Sequence, residues 1–113
     1  MTTIRAEIWC TAFVRQHNFR GNICVVAKKG DALAGQIWIE VDHLDGTSSL
    51  FTQASSTLQT SENGELLFQQ RFDHASNMAV RERVLQEESF DPDFWLLVLE
   101  DPKNQHGLAL HKA

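Results

Sequence analysis

Residues 94–99 read Phe-Trp-Leu-Leu-Val-Leu, an unbroken apolar run with no polar alternation. A strand that alternates leaves one face wet; one that does not must be covered on both, so this run predicts a strand inside a sheet. Before it, Phe90-Asp91-Pro92-Asp93 is turn chemistry, because proline restricts its predecessor and has no N–H to give to a ladder. Further upstream, Met78, Val80, Val84 and Leu85 form a loose apolar stripe that predicts a helix running to about Glu88, with Asp73 or Ser76 as its N-cap.

Residues 36–42, Gln-Ile-Trp-Ile-Glu-Val-Asp, do alternate. Ile37, Ile39 and Val41 are expected in the core, and Gln36, Trp38, Glu40 and Asp42 on a wet face. Asp45-Gly46 predicts a tight primed turn that reverses the chain into an antiparallel partner over residues 47–52. The β-branched run Ile23–Ala27 predicts a first strand, closed by the turn residues Lys28-Lys29-Gly30-Asp31, and residues 65–72 predict a fourth, with a short helix as the alternative their periodicity leaves open. Between them the polar stretch 53–64 is expected to be a mobile loop. At the start of the chain Ala6, Trp9, Cys10, Phe13 and Val14 recur at helical spacing, predicting an amphipathic helix from about Ile4 to Asn18. Thr2 or Thr3 would cap it, and Gly21 suits the left-handed residue that ends it.

Helix, three or four strands, helix, strand is the pattern of an α+β fold. The expectation is two layers, an antiparallel or mixed sheet of four to five strands with two helices in the order α-β-β-β-β-α-β. Residues 1–101 would form a single domain and residues 102–113 a loosely ordered C-terminal tail.

At 113 residues and 42% hydrophobic content the chain is one ordinary globular domain. Its net charge of −5 argues against a surface given over to nucleic acid or anionic lipid. The charge is uneven, however. Residues 1–30 hold Arg5, Arg15, Arg20, Lys28 and Lys29 against Glu7 alone, while the other 83 residues hold 5 bases and 14 acids. Cys10 and Cys24 show no CxxC spacing and are too few for a disulfide framework, so they read as small buried hydrophobes. No uncharged leader-like run opens the chain, no membrane-length apolar segment occurs, and a reducing cytoplasm is the expected compartment.

Chemistry-bearing motifs are sparse. Neither GxGxxG nor GxxxxGK[ST] occurs, no serine sits in GxSxG, and no cofactor is implied. Asp42-His43-x-Asp45 and Asp73-His74 are dense in metal-ligand types, but a site needs three or four converging groups, and adjacent strand residues point to opposite faces. Glu40 and Asp42 share a strand face, where a carboxylate pair could hold a divalent cation for a nuclease or hydrolase. Nucleic-acid association would rest on the basic N-terminal residues, with Trp38 as a stacking platform; the overall acidity and the missing recognition signatures speak against it.

Three blocks carry a resemblance. Glu7–Arg15, then Lys29-Gly30-Asp31 through Ala34-Gly35 to Leu44-Asp45-Gly46, and Phe90–Trp95 with Glu100-Asp101 resemble short bacterial proteins grouped as domain of unknown function 1491. The likeness spans most of the chain, with Lys29 where arginine is usual and a divergent segment 53–64, and it implies no activity, cofactor or catalytic residue. Asp91 and Asp93 read as turn formers; a functional alternative pairs them with Arg15 as an ion pair across the sheet.

The chain therefore reads as a small cytoplasmic protein without catalysis of its own, binding a protein partner or a second copy of itself, as in a homodimer. The candidate binding surface is Arg5, Arg15, Arg20, Lys28, Lys29, Trp38, Asp91 and Asp93. The alternatives are a metal-assisted hydrolase or nuclease using Glu40 and Asp42, and nucleic-acid association through the basic N-terminal patch.

Overall fold

The computed structural model describes residues 5–54 and 65–111. In chain order the elements are α1 (Ala6–Phe19), β1 (Ile23–Lys28), β2 (Gln36–Asp42), β3 (Thr47–Gln53), β4 (Leu67–Ser76), α2 (Asn77–Phe90), β5 (Phe94–Glu100) and β6 (Ala109–Leu110). The fold is α+β, with two helices on a curled mixed sheet of six strands ordered β1-β5-β2-β3-β4-β6. Its pairings are antiparallel except β2 with β5 and β4 with β6. Of the expected mobile loop 53–64, Gln53 instead ends β3 and Ala54 is buried, while residues 55–64, like the expected caps Thr2 and Thr3, lie outside the described residues.

The apolar run 94–99 lies where its pattern requires, between β1 and β2. Trp95, Leu97 and Leu99 pack with Ile37, Ile39, Val41, Cys24, Phe51 and Phe68 against α1. Phe94 and Leu96 point the other way, into a second core with Trp38, Leu50 and the α2 residues Val80 and Val84. One helix therefore covers each face of the sheet, which corrects the two-layer expectation. The error came from β2: the alternation Gln36, Trp38, Glu40, Asp42 looks wet, yet α2 lies over it, leaving Trp38 8% and Glu40 0% exposed.

α1 starts without a side-chain cap, and its N-cap is Arg5. The free N–H groups of Ala6 and Glu7 instead donate to the carbonyls of Leu33 and Ala32, which ties the helix to the β1–β2 loop. At its other end Gly21, at φ 91°, donates to Asn18 and Asn22 donates to His17, the paired closing bonds a left-handed glycine permits. α2 is capped by Ser76, whose hydroxyl accepts from Ala79 N–H.

Three boundaries differ from expectation. The Asp45-Gly46 hairpin pairs β2 with β3 antiparallel, but Leu44 (φ 62°) and Gly46 (φ 89°) are the residues with positive φ, and His43 N–H closes the loop onto Thr47 O, so the turn is wider than two residues. β4 extends to Ser76 because a bulge sets Asp73 and His74 opposite Ser49 alone, with His74 at φ 52°; the parity then flips and Ala75 joins Phe72 in the second core. The sixth strand comes from the segment expected to trail. The buried Asp101 carboxylate accepts from Lys103 N–H and Gln105 N–H, turning the chain so that His106 packs on Phe51 and Ala109–Leu110 pairs with β4.

Candidate functional site

Polar side chains gather in two buried clusters, one on each face of the sheet. On the α2 face, Glu40 faces Arg81 Nε at 3.2 Å and receives the Ser48 hydroxyl at 3.2 Å, while Asn77 donates to that hydroxyl. This closes Glu40 as a cation ligand: its carboxylate is fully buried and occupied. Asp42, its expected partner, accepts from Leu44 N–H in the hairpin. The two carboxylates are bound to separate partners, and the described residues hold no group of three or more metal-ligating side chains.

On the α1 face the rings of His43 and His74 stack at 3.8 Å, His43 Nε2 meets Ser49 Oγ at 2.8 Å, and Asp73 holds His74 Nδ1 at 2.6 Å. The bulge at Asp73-His74 brings these together. Sequence alone carried no signal for it, because the partners come from three segments joined only through strand register. Ser49 is 1% and His43 5% exposed, so no substrate reaches the hydroxyl, which also accepts His74 N–H. Cys10 and Cys24 are free and buried, and burial raises their thiols to about 12 and about 11, leaving no thiolate near neutral pH.

The sequence-predicted surface residues divide. Arg15 and Lys29 line one groove of ≈ 430 Å³ between α1 and β1, whose apolar wall is Val14, Val26 and Trp95 and whose polar wall also includes Glu7 and Thr11. Arg15 and Arg20 line an adjoining groove of ≈ 480 Å³ with the almost fully exposed Phe19. Lys28 is a structural clasp: its ammonium donates to the carbonyls of Pro92 and Phe94 and lies over the Phe94 ring. Arg5 is exposed at the start of α1. Trp38 is buried on the opposite face with its N–H on Gln36, so no stacking platform accompanies the basic residues. Asp91 accepts from Asp93 N–H and Asp93 from Asp31 N–H; both are turn formers, and no ion pair joins them to Arg15 among the described residues.

Beside the grooves lies the feature that local sequence did not expose. β1 is the end strand of the sheet, and Ile23, Val25 and Val26 on it are 57%, 50% and 37% exposed. The turn next to it is closely packed: a Cβ at Gly30 would meet the Phe94 backbone at 2.8 Å and one at Gly35 would meet the Asp31 backbone at 2.7 Å, so the loop takes this path only with glycine at both positions. Trp95 N–H donates to Asp31 O and fixes the same loop. The apolar run 23–27 was legible as a strand; that it lies at an edge follows only from β5 inserting between β1 and β2.

A six-stranded mixed sheet with a helix on each face, two buried polar clusters and a bare apolar end strand defines a small α+β domain class. The chain belongs to the family described as protein of unknown function DUF1491, which matches residues 4–109. It is similar to the crystal structure of a DUF1491 family protein from Caulobacter crescentus CB15, at 29% identity over 96% of this chain and 99% of that one, with a TM-score of 0.77. An NMR structure of a DUF1491 family protein from the same organism matches at 28% identity over 99% and 100% of the two chains, with a TM-score of 0.77. The solution structure of protein Atu0922 from A. tumefaciens shares the fold at 23% identity over 99% and 98% of the chains, with a TM-score of 0.81. No curated protein matches the chain.

Proposed function

We propose that the protein is a non-catalytic binding module whose working surface is the exposed apolar side chains of β1 together with the flank of α1. The observation that carries this is the exposure of Ile23, Val25 and Val26 on an end strand with no strand beside it among the described residues. Edge strands are normally defended by charge, proline, bulges or extreme shortness, because their outer N–H and C=O groups template further pairing. On β1 the Asn18 side-chain amide takes the outward N–H and C=O of Cys24, the register shifts between Val26 and Lys28, and Lys28 turns its ammonium inward. The backbone edge is thus guarded, and what β1 offers a partner is the apolar side-chain surface of Ile23, Val25 and Val26, which another protein or a second copy would cover.

Supporting a reducing, cytoplasmic setting are the two unpaired buried thiols; no helix among the described residues is long and apolar enough to cross a membrane. The test is a screen of displayed peptides against the wild type and Val25→Lys, run beside light scattering over a range of concentrations. Binders or a dimer that Val25→Lys abolishes are expected. A chain that captures no peptide and stays monomeric throughout would overturn the proposal.

A further inference from the structure

We infer that the cleft between α2 and the sheet binds a small monocarboxylate on a flat apolar body, gripped by the guanidinium groups of Arg71 and Arg83. The cavity measures ≈ 220 Å³, with β2, β3 and β4 on one side and Arg83 and Glu87 of α2 on the other. No residue of β1 or α1 lines it, so it stands or falls apart from the surface proposed above.

Arg71 reaches the cleft from a bulge. Leu50 pairs with Phe72 and Phe51 with Gln70, which leaves Arg71 as the extra residue, and a bulge is a means of aiming a side chain. Its Nε donates to the Thr52 hydroxyl at 2.8 Å and its Nη2 to Gln69 Oε1 at 3.0 Å. One side of the guanidinium is thereby fixed. The terminal Nη1–Nη2 edge, able to hold a carboxylate by two parallel bonds, has no second partner among the described residues.

The other polar groups at the cleft have donors to spare and their acceptors engaged. Gln36 Oε1 accepts the Trp38 indole N–H at 2.7 Å, and because an indole only donates, the amide NH2 of Gln36 is the part left over. Thr52 accepts from Arg71 and keeps its hydroxyl proton to give. Arg83 spends Nε on Glu87 Oε1 at 3.0 Å and keeps both Nη groups. Spare donors converging from four side chains call for an anion.

Charge and size narrow the choice. Two guanidinium groups against the Glu87 carboxylate leave one positive charge, which a carboxylate neutralises and a phosphate dianion overshoots. Trp38 and Leu50, 8% and 1% exposed, give the cleft an apolar base, with the indole stacked on Phe94 at 4.5 Å. The volume lies below the roughly 300 Å³ at which drug-sized sites begin, so the acid is compact.

The experiment titrates the isotope-labelled full chain with benzoate, benzamide and inorganic phosphate at constant ionic strength, read by NMR at the Trp38 indole N–H. Benzoate is expected to give a saturable shift and benzamide none. Arg83→Gln, a change at an exposed position, is expected to weaken benzoate about tenfold while the other amide signals keep their places. Arg71→Lys, which retains the charge and loses the fork, should weaken it as well. Equal shifts with benzoate and benzamide, or tighter binding of phosphate, would overturn the carboxylate assignment. No saturation with benzoate, or undiminished binding in Arg83→Gln, would overturn the site itself.

Discussion

The two ends of the sheet are built on opposite plans. At one end β4 presents Gln70, Arg71, Asp73 and His74 exposed along its length, carries two register shifts, and receives β6 over two residues only. Charge, bulges and a very short last strand are the devices that stop further pairing. At the other end β1 presents isoleucine and valine. Both edges belong to one sheet, so the contrast is local: the β4 end meets solvent with polar and charged side chains, and the β1 end, its Cys24 backbone closed by Asn18, meets it with apolar ones. Substitutions at the β4 end should therefore cost stability, and substitutions at the β1 end should cost binding alone.

The largest effect is expected at Phe68, which is fully buried, packs against Trp9 with ring centroids 5.3 Å apart and accepts a backbone bond from His111. Phe68→Ala removes an aromatic ring from the core beneath β6 and should lower the unfolding free energy by about 3–5 kcal/mol in a urea titration. A loss of under about 1 kcal/mol would mean that this end is as loosely held as β1. Next comes Asp101, 2% exposed, which holds the turn that delivers β6. Asp101→Ala leaves two turn N–H groups without their carboxylate and should cost about 1–3 kcal/mol, with Asp101→Asn recovering part of it.

How much of this contrast a single sequence reveals depends on the range of the interaction. Residues 94–99 announced a doubly covered strand because burial on both faces removes all polar residues locally. Ser76 and Gly21 were legible because caps act on neighbours three or four residues away. The burial of Trp38 and Glu40 was not, since the pattern of β2 is the same whether water or α2 covers that face; only Arg81, 41 residues on, neutralises Glu40. For the same reason the His43–His74 stack and the edge position of β1 were hidden, and the C-terminal segment looked like a tail because its anchor is Asp101, a residue upstream of it. The basic residues were visible as a charge imbalance, and the fold gathered three of them while using Lys28 as a clasp.

A smaller effect of pH also belongs to the β4 end. His17 and His106 meet through His17 Nε2 and the His106 carbonyl at 3.2 Å. Burial lowers both imidazoles below their ordinary 6.5; against it, the His106 carbonyl bond and Asp101 act on His17 and Asp101 on His106, while Arg20 further lowers His17, and His17 and His43 further lower His106. The unfolded chain thus takes up these protons first as pH falls. Their contribution is fully present above pH 6.5 and is lost as pH drops from there toward the lowered native values. Urea midpoints should decline on acidification through that window, and His106→Gln should flatten the decline; an unchanged slope would show that the imidazoles are as wet as in the unfolded chain.

The smallest change in stability is expected where the change in function is greatest. Val25 is half exposed and pairs with Val98 across an interior ladder, so its side chain gains little from the fold. Val25→Lys keeps the backbone register, gives up some β-propensity, and should alter the unfolding free energy by no more than about 0.5 kcal/mol. The same ammonium puts charge in the middle of the apolar patch that a partner would cover. Measured together, an intact melt with lost peptide binding or lost dimer would separate the two ends of the sheet by function. If Val25→Lys instead destabilised the chain as much as Asp101→Ala, β1 would be part of the closed core, and its apolar residues would need no partner to explain them.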